Sequence, residues 1–307
     1  MILSVSLSPS IDVNIEVDSL SVGMSHRIIS KRTFLTGKAL NSAIGLARLG
    51  AQSFATGFMY EDNGKLFEQE LHKEGVLYKF VWCEGRVTEN YKFIDRRSML
   101  TEVNDIPSEV PEEKQRELVE TVDCFAKSAE AVIISGNLAK GMSAEYYGEL
   151  LNRIPRGVKK VVDAEGDCLT QSLKYGVDLV KPNLDELQRT LKVTVKSKES
   201  ALSACRKLVD AGAERVLLSL GKNGAIITDG DKAYYCKSIN VAMNSTAGAG
   251  DAMVAAATKS LACGGDLTDI LRCGVAAGTA AVTLSDSISF KKEKYEEIFS
   301  SLTVQEI

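Results

Sequence analysis

The stretch most suited to chemistry is NSTAGAGDAMVAAATKSLACGG, residues 244–265. Gly248 and Gly250 let the backbone approach a ligand closely, and from Ala252 onward Met253, Val254, Ala257 and Leu261 mark the buried face of a helix. Ala249, Gly250 and Asp251 then fall in its first turn, where unpaired N–H groups and the helix dipole suit a phosphoryl group. Asp251 reads either as a base beside a reacting centre or as an ordinary first-turn cap. The flanking glycines favour the former, since a cap does not need them.

A second helix start lies in TGKALNSAIGLARLG, residues 36–50, whose apolar residues Leu40, Ala43, Ile44, Ala47 and Leu49 keep near-helical spacing. Lys38 and Asn41 then sit at its mouth, positioned to draw an anion or, on the plainer reading, solvated beside an ordinary helix start. In VKPNLDEL (180–187), Asn183 and Glu186 share one face of a turn, as a ligand pair or as a capping box. Asp12 follows an apolar strand start and can accept two hydroxyl hydrogens, whereas Asp163 reads as a structural hydrogen-bonding residue. Arg96 and Arg97 read as a solvated turn. Neither the nucleotide P-loop pattern nor G-x-G-x-x-G occurs.

The elements that must position these residues alternate. Short apolar runs AVIISG (131–136), VKKVVDAEG (158–166), VDLVKPN (177–183) and ERVLLSLG (214–221) are separated by helix-like stretches, which predicts an α/β fold with a mostly parallel sheet covered on both faces. GAIITDG and KAYYCKS predict an antiparallel hairpin at one edge. Two segments, 11–34 and 78–105, carry period-two patterns and predict a small separate β-sheet lid on a single domain spanning 1–307.

Composition bounds the function. The 307 residues carry a net charge of -4 and 45% hydrophobic content, which argues against nucleic-acid binding by backbone neutralisation. Seven scattered cysteines without a C-x-x-C pair predict reduced thiols, and only His26 and His72 are available for a histidine site. No run approaches the roughly 18 apolar residues of a membrane span. We expect a cytoplasmic protein with no membrane or nucleic-acid partner.

Six motifs in order resemble those of the PfkB (ribokinase-like) carbohydrate kinases: SPSIDVNIEV, TGKALNSA, SGNLAKG, VDAEGDCL, VKPNLDEL and STAGAGDAM. The resemblance covers essentially the whole chain and implies a Rossmann-like ribokinase fold. It also implies ATP-dependent phosphorylation of a sugar hydroxyl, with Asp251 as general base and Gly248, Ala249 and Gly250 around the transferring group. His26-Arg27, Val87 to Lys92 and Thr101 to Asn104 are similar to segments of the branch acting on phosphorylated ketohexoses, the 1-phosphofructokinases and tagatose-6-phosphate kinases. By that likeness Asp12, Arg27, Gly37, Lys38, Asn41, Asn90 and Lys92 bind the sugar phosphate. Lys181, Asn183, Glu186, Ser219, Gly221 and Gly224 serve ATP, with Mg²⁺ ordered through water near Glu186 and no direct protein ligand. Small residues in 273–284 admit adenine or simply pack a core helix, and a plain strand turn accounts equally for Ser219 to Gly224. Thr36, Ala39 and Asn137 depart from the family pattern, and Thr88 stands where this branch has Arg, with Arg86 able to substitute. A kinase for an unphosphorylated sugar or nucleoside, and a non-catalytic sugar-phosphate sensor, stay open. The family's habit of pairing exposed lid strands implies a homodimer.

Overall fold

Apolar residues at successive positions require a strand to be covered on both sides, and the computed structural model, which describes residues 1–284 and 289–307, is built on that requirement. The first seven strands are β1 (Ile2–Ser6), β2 (Ser10–Val17), β3 (Ile28–Thr36), β4 (Ser53–Tyr60), β5 (Leu77–Cys83), β6 (Thr88–Ile94) and β7 (Leu100–Asn104). The others are β8 (Ala131–Ser135), β9 (Lys159–Asp163), β10 (Leu179–Val180), β11 (Val216–Ser219), β12 (Ala225–Thr228), β13 (Ala233–Cys236) and β14 (Val304–Glu306). The helices are α1 (Lys38–Arg48), α2 (Lys65–Lys73), α3 (Glu112–Ala126), α4 (Glu145–Asn152), α5 (Gly166–Leu173), α6 (Leu184–Leu191), α7 (Lys198–Asp210), α8 (Ala249–Ala262), α9 (Leu267–Ala281) and α10 (Lys292–Ser301).

Ten strands form one sheet in the order β14-β13-β12-β11-β10-β9-β8-β1-β4-β5. It is parallel from β11 to β5, and the expected β12–β13 hairpin makes an antiparallel edge. The short β14 extends that edge beyond what the sequence pattern signals. Two apolar layers divide alternate residues of the central strands: Val132 and Ile134 of β8 join the layer of α2 to α7, Ala131 and Ile133 that of α8, α9 and α10. Helix α1 lies against α8 so closely that a Cβ on Gly45 would come within 2.9 Å of the Ala255 Cβ.

The second sheet has the order β3-β2-β6-β7. In β2, Ile11, Val13, Ile15 and Val17 are buried, so Ser10, Asp12, Asn14 and Glu16 share the opposite, polar face. The expected boundary of this sheet needs correcting, because residues 77–83 form the edge strand of the large sheet, parallel to β4. Phe80, Val81 and Cys83 are buried, the mark of a strand covered on both faces rather than of a two-faced lid. Only β6 and β7 of the second expected segment cross over.

Candidate active site

The parallel strands end on one side of the large sheet, and α1, α6 and α8 begin there. Gly248 caps α8 in the left-handed region at φ 76°, a conformation that glycine takes without a Cβ penalty. Among the described residues the N–H groups of Gly250 and Asp251 have no partner, while that of Ala249 approaches the Thr246 carbonyl at 3.4 Å. Of the expected anion-binding donors, Gly250 and Asp251 are therefore the freer. A Cβ on Gly250 would lie 3.1 Å from Lys181 Nζ, so the glycine makes room for an ammonium at the helix start.

Asp251 is buried, and its Oδ2 accepts a 2.8 Å hydrogen bond from Asn41 Nδ2. Ser42 Oγ donates to the Asp251 carbonyl at 3.1 Å, so α1 grips the first turn of α8 twice. Burial pushes the Asp251 carboxyl up to about 6, with nearby Asp163 adding to the rise and Asn41, Lys38 and Lys181 opposing it.

Lys38 Nζ lies 3.3 Å from Glu186 Oε1 and 3.6 Å from Asp163 Oδ1. Burial alone would lower its pKa, but Asp163, Glu186 and Asp251 together hold it above the ordinary lysine value. Lys181 Nζ pairs with the same Asp163 oxygen at 3.2 Å, and both residues are almost fully buried. The expected purely structural, hydrogen-bonding role of Asp163 is thus replaced by an ionic one: it anchors two ammonium groups beside the start of α8. The only sequence signal for this was an aspartate at the end of a buried strand.

Asn183 and Glu186 form the capping box of α6, each backbone N–H meeting the other side chain at 2.8 Å. Only one Glu186 oxygen serves the cap, as the capping-box reading expects; the other meets Lys38 at 3.3 Å. Among the described residues no group of three or more His, Cys, Asp or Glu is placed to hold a metal ion. Asn183 and Glu186 line the cavity with oxygens already engaged by the cap and by Lys38, which fits a cation met through its own waters, as magnesium is.

These groups line a cavity of about 460 Å³ that also takes in Asp12, Gly37, Thr88, Asn90 and Asn137. Asp12 is held from the polar face of the small sheet by Lys92 at 2.8 Å and Asn90 at 3.3 Å. Ala39 is fully buried in α1, so that departure from the family pattern is absorbed in packing, whereas Thr36, tied to Ser10 at 2.7 Å, lines the cavity itself. Arg27 is not brought to the cavity; it is exposed just ahead of β3. Nor does Arg86 replace an arginine at position 88: it precedes β6, pairs with Glu89 at 2.6 Å and Asp105 at 3.9 Å, and stays outside the cavity that Thr88 lines. Arg96 and Arg97 are exposed in the turn organised by Asp95, as expected.

A second cavity of about 430 Å³ adjoins the first and shares Lys181, Asn183 and Gly250 with it. Ser219, Gly221 and Gly224 line it, together with Val275, Gly278 and Thr279 of α9. Gly224 has φ 90°, and a Cβ there would meet the Cys236 carbonyl oxygen at 1.9 Å, so the chain turns here only as glycine. The small residues of 273–284 also pack, since a Cβ on Gly278 would lie 3.2 Å from the Ala249 carbonyl oxygen. Sequence reading missed Lys222 and the wall made by Ser238, Ile239, Asn240, Val241 and Met243, which lies in a loop without periodicity.

Two adjoining cavities, one polar and charged and one with a largely apolar lining that includes Lys181 and Lys222, meet at a helix N-terminus beside a buried carboxylate. That is the layout of a phosphotransferase acting on a small acceptor, and comparison with known proteins makes the class specific. The model of the pfkB family carbohydrate kinases matches residues 1–294, and the chain belongs to that family. It is 26% identical over 295 residues to the 1-phosphofructokinase of Borreliella burgdorferi, covering 96% of this chain and 95% of that protein. It is 28% identical over 289 residues to the 1-phosphofructokinase of Haemophilus influenzae, covering 93% and 92%. The crystal structure of phosphofructokinase-2 from Escherichia coli in complex with potassium superposes with a TM-score of 0.89 at 27% identity, covering 98% of each chain. The chain is a carbohydrate kinase with the ribokinase fold, and among the described residues no helix is long and apolar enough to cross a membrane.

Proposed function

We propose that the protein transfers the γ-phosphoryl group of ATP to a hydroxyl of a phosphorylated ketohexose, fructose 1-phosphate or tagatose 6-phosphate. The observation that carries this reading is the meeting of the two cavities at Gly250, with the buried carboxylate of Asp251 on the acceptor side. The two relatives named 1-phosphofructokinase favour fructose 1-phosphate.

In this reading the acceptor O–H gives its proton to Asp251 as the oxygen bonds to the γ-phosphorus, and the bond from that phosphorus to the β,γ-bridging oxygen breaks to release ADP. The backbone of 248–251 receives the charge on the equatorial oxygens. Asp12, Asn90 and Lys92 orient the sugar from the small sheet; Gly37, Lys38 and Asn41 do so from α1, and Arg27 joins them if the small sheet closes. Lys181, Asn183, Glu186, Ser219, Gly221 and Gly224 hold the nucleotide. Mg²⁺ held through water near Glu186 would supply charge neutralisation at the ATP phosphates. Ile28 and Ile29 on β3 and Leu100 and Val103 on β7 expose apolar surface on the two edge strands, which supports a homodimer formed through this sheet.

One observation favours a second acceptor. The cations lining the acceptor cavity, Lys38 and Lys181, are both paired with carboxylates, and Thr88 and Asn137 carry no charge, which suits an unphosphorylated sugar. The test is ADP release with Mg-ATP against fructose 1-phosphate, tagatose 6-phosphate, fructose 6-phosphate, fructose, ribose and a nucleoside, with Asp251→Asn as blank. Turnover of one phosphorylated ketose that vanishes in the blank is expected. Turnover only of an unphosphorylated acceptor selects the second reading, and binding without turnover selects a sensor.

A further inference from the structure

We infer that Asn41 is a positioning residue for Asp251, holding one carboxylate oxygen so that the other stays free for the acceptor's proton; this rests on the reading of Asp251 as the base. The two side chains are 6% and 7% exposed, and their 2.8 Å contact joins helices 210 residues apart in the chain. Neither helix can drift. The single Ser42 Oγ proton is shared between the carbonyls of Lys38 and Asp251, and Gly45 lets α1 approach Ala255 of α8 with no room for a methyl group between them.

The direction of the amide follows from charge. A carboxylate accepts only, so Asn41 must present Nδ2 to it, and its own carbonyl oxygen points elsewhere. Oδ2 of Asp251 is thereby occupied. Oδ1 receives no hydrogen bond from the described chain, and Asp251 lines the acceptor cavity, so Oδ1 is the oxygen left for the incoming hydroxyl.

The neighbours on every packed element give the bond a second effect. Lys38 on α1 and Lys181 after β10 favour the ionised carboxylate, Asp163 at the end of β9 opposes it, and Glu186 on α6 engages Lys38 from the far side. In this balance the Asn41 amide adds a hydrogen bond that is stronger to the charged form than to the neutral one. Without it, Asp251 ionises at higher pH and is free to rotate away from the junction.

Asn41 also lines the acceptor cavity, so direct contact with the sugar is the competing role. The two roles separate in kinetics. We would measure pH profiles of kcat and KM for the acceptor in Asn41→Ala, in Asn41→Ser, which keeps a donor, and in Asn41→Ala combined with Asp251→Asn, checking each fold by circular dichroism. The expected result is a kcat lowered about 10- to 100-fold by Asn41→Ala, an acid limb moved to higher pH, and partial recovery in Asn41→Ser. In the Asp251→Asn background Asn41→Ala should cost nothing further, because its partner's function is already gone. A raised KM with kcat and acid limb unchanged, or an undiminished loss in the Asp251→Asn background, overturns the inference. Full turnover by Asp251→Asn alone overturns the base assignment first, and the inference with it.

Discussion

The cavity proposed for the nucleotide and the one proposed for the acceptor share a boundary and differ in almost everything else. The first is walled by small and apolar side chains of α8 and α9 and by the backbone turn at Gly221 to Gly224. The second gathers four carboxylates, Asp12, Asp163, Glu186 and Asp251, and two ammonium groups, Lys38 and Lys181, from six different parts of the fold. In the proposed reading a nucleotide would be gripped largely by shape and by backbone N–H groups, with Lys181 and Lys222 in the wall, whereas an acceptor would meet a set of charges most of which already have a partner. Shape is hard to alter without breaking the fold. A balance of charges shifts when one member is exchanged, so acceptor choice is the more adjustable property of this scaffold.

The hardest blow to the acceptor side is Asp251→Asn. A positioned base contributes about 10² to 10⁴ in rate, and kcat should fall by at least that range while the KM for ATP stays near its wild-type value. The wild-type kcat should also decline as pH falls through about 6, where Asp251 takes up a proton. Stability has the opposite dependence. The folded-state pKa lies above the unfolded value of 3.8, so the folded protein binds the proton more tightly, and stability drops as pH rises from about 4 to about 6 and stays lowered above that. Asp251→Asn should unfold at a temperature no lower than wild type at pH 8, a combination of lost turnover and kept stability that calorimetry beside an ADP assay would show. Near-normal turnover in a folded Asn variant would falsify the base role.

Lys38→Met comes next. Its ammonium faces Asp163, Glu186 and Asp251, and a hydrogen bond to a charged group is worth about 1.5 to 3 kcal/mol, or about 10- to 100-fold in acceptor KM. A KM for ATP that rises as much as the acceptor's would mean that the two cavities are less separate than their linings imply. On the nucleotide side, Gly224→Ala should raise the KM for ATP a few-fold and destabilise the fold by about 1 to 3 kcal/mol, since the left-handed turn and the Cys236 carbonyl both exclude a side chain. An unchanged melting temperature would show that the turn relaxes.

What the sequence revealed and what it hid divide along the same line. The α8 and α1 starts, the parallel strands and the β12–β13 hairpin were legible because periodicity and glycine placement are local signals. The turn at Ser219 to Gly224 was legible as a turn for the same reason, its link to a nucleotide resting on the family resemblance alone. The pairing of Asp163 with Lys38 and Lys181 was not, because three residues more than a hundred positions apart at their extremes meet only after the sheet forms. Assigning 78–83 to the small sheet failed because a short edge strand covered on both sides and a two-faced strand differ by only one or two residues of pattern. The wall at 238–243 left no mark at all, being irregular chain whose position is dictated by what it packs upon.

The smallest effect is also the one that bears most directly on acceptor identity. Thr88 begins β6, opposite Ser10, and lines the acceptor cavity on the same sheet as Asn90 and Asp12. An arginine there would bring a bidentate donor to a cavity whose existing cations are paired. Part of its charge-assisted bonding would be offset by the nearby Asp12 and by ordering a long side chain, so the net gain should be modest. Thr88→Arg is expected to lower the KM for a phosphorylated ketose about 2- to 10-fold and to leave that for free fructose and for ATP unchanged. A fall confined to the phosphorylated acceptor would place its phosphate beside the small sheet and mark Thr88 as a tuned weakness. An equal response to fructose would mean that position 88 senses the sugar ring, and the phosphate would then have to be held from Lys38 and the start of α1.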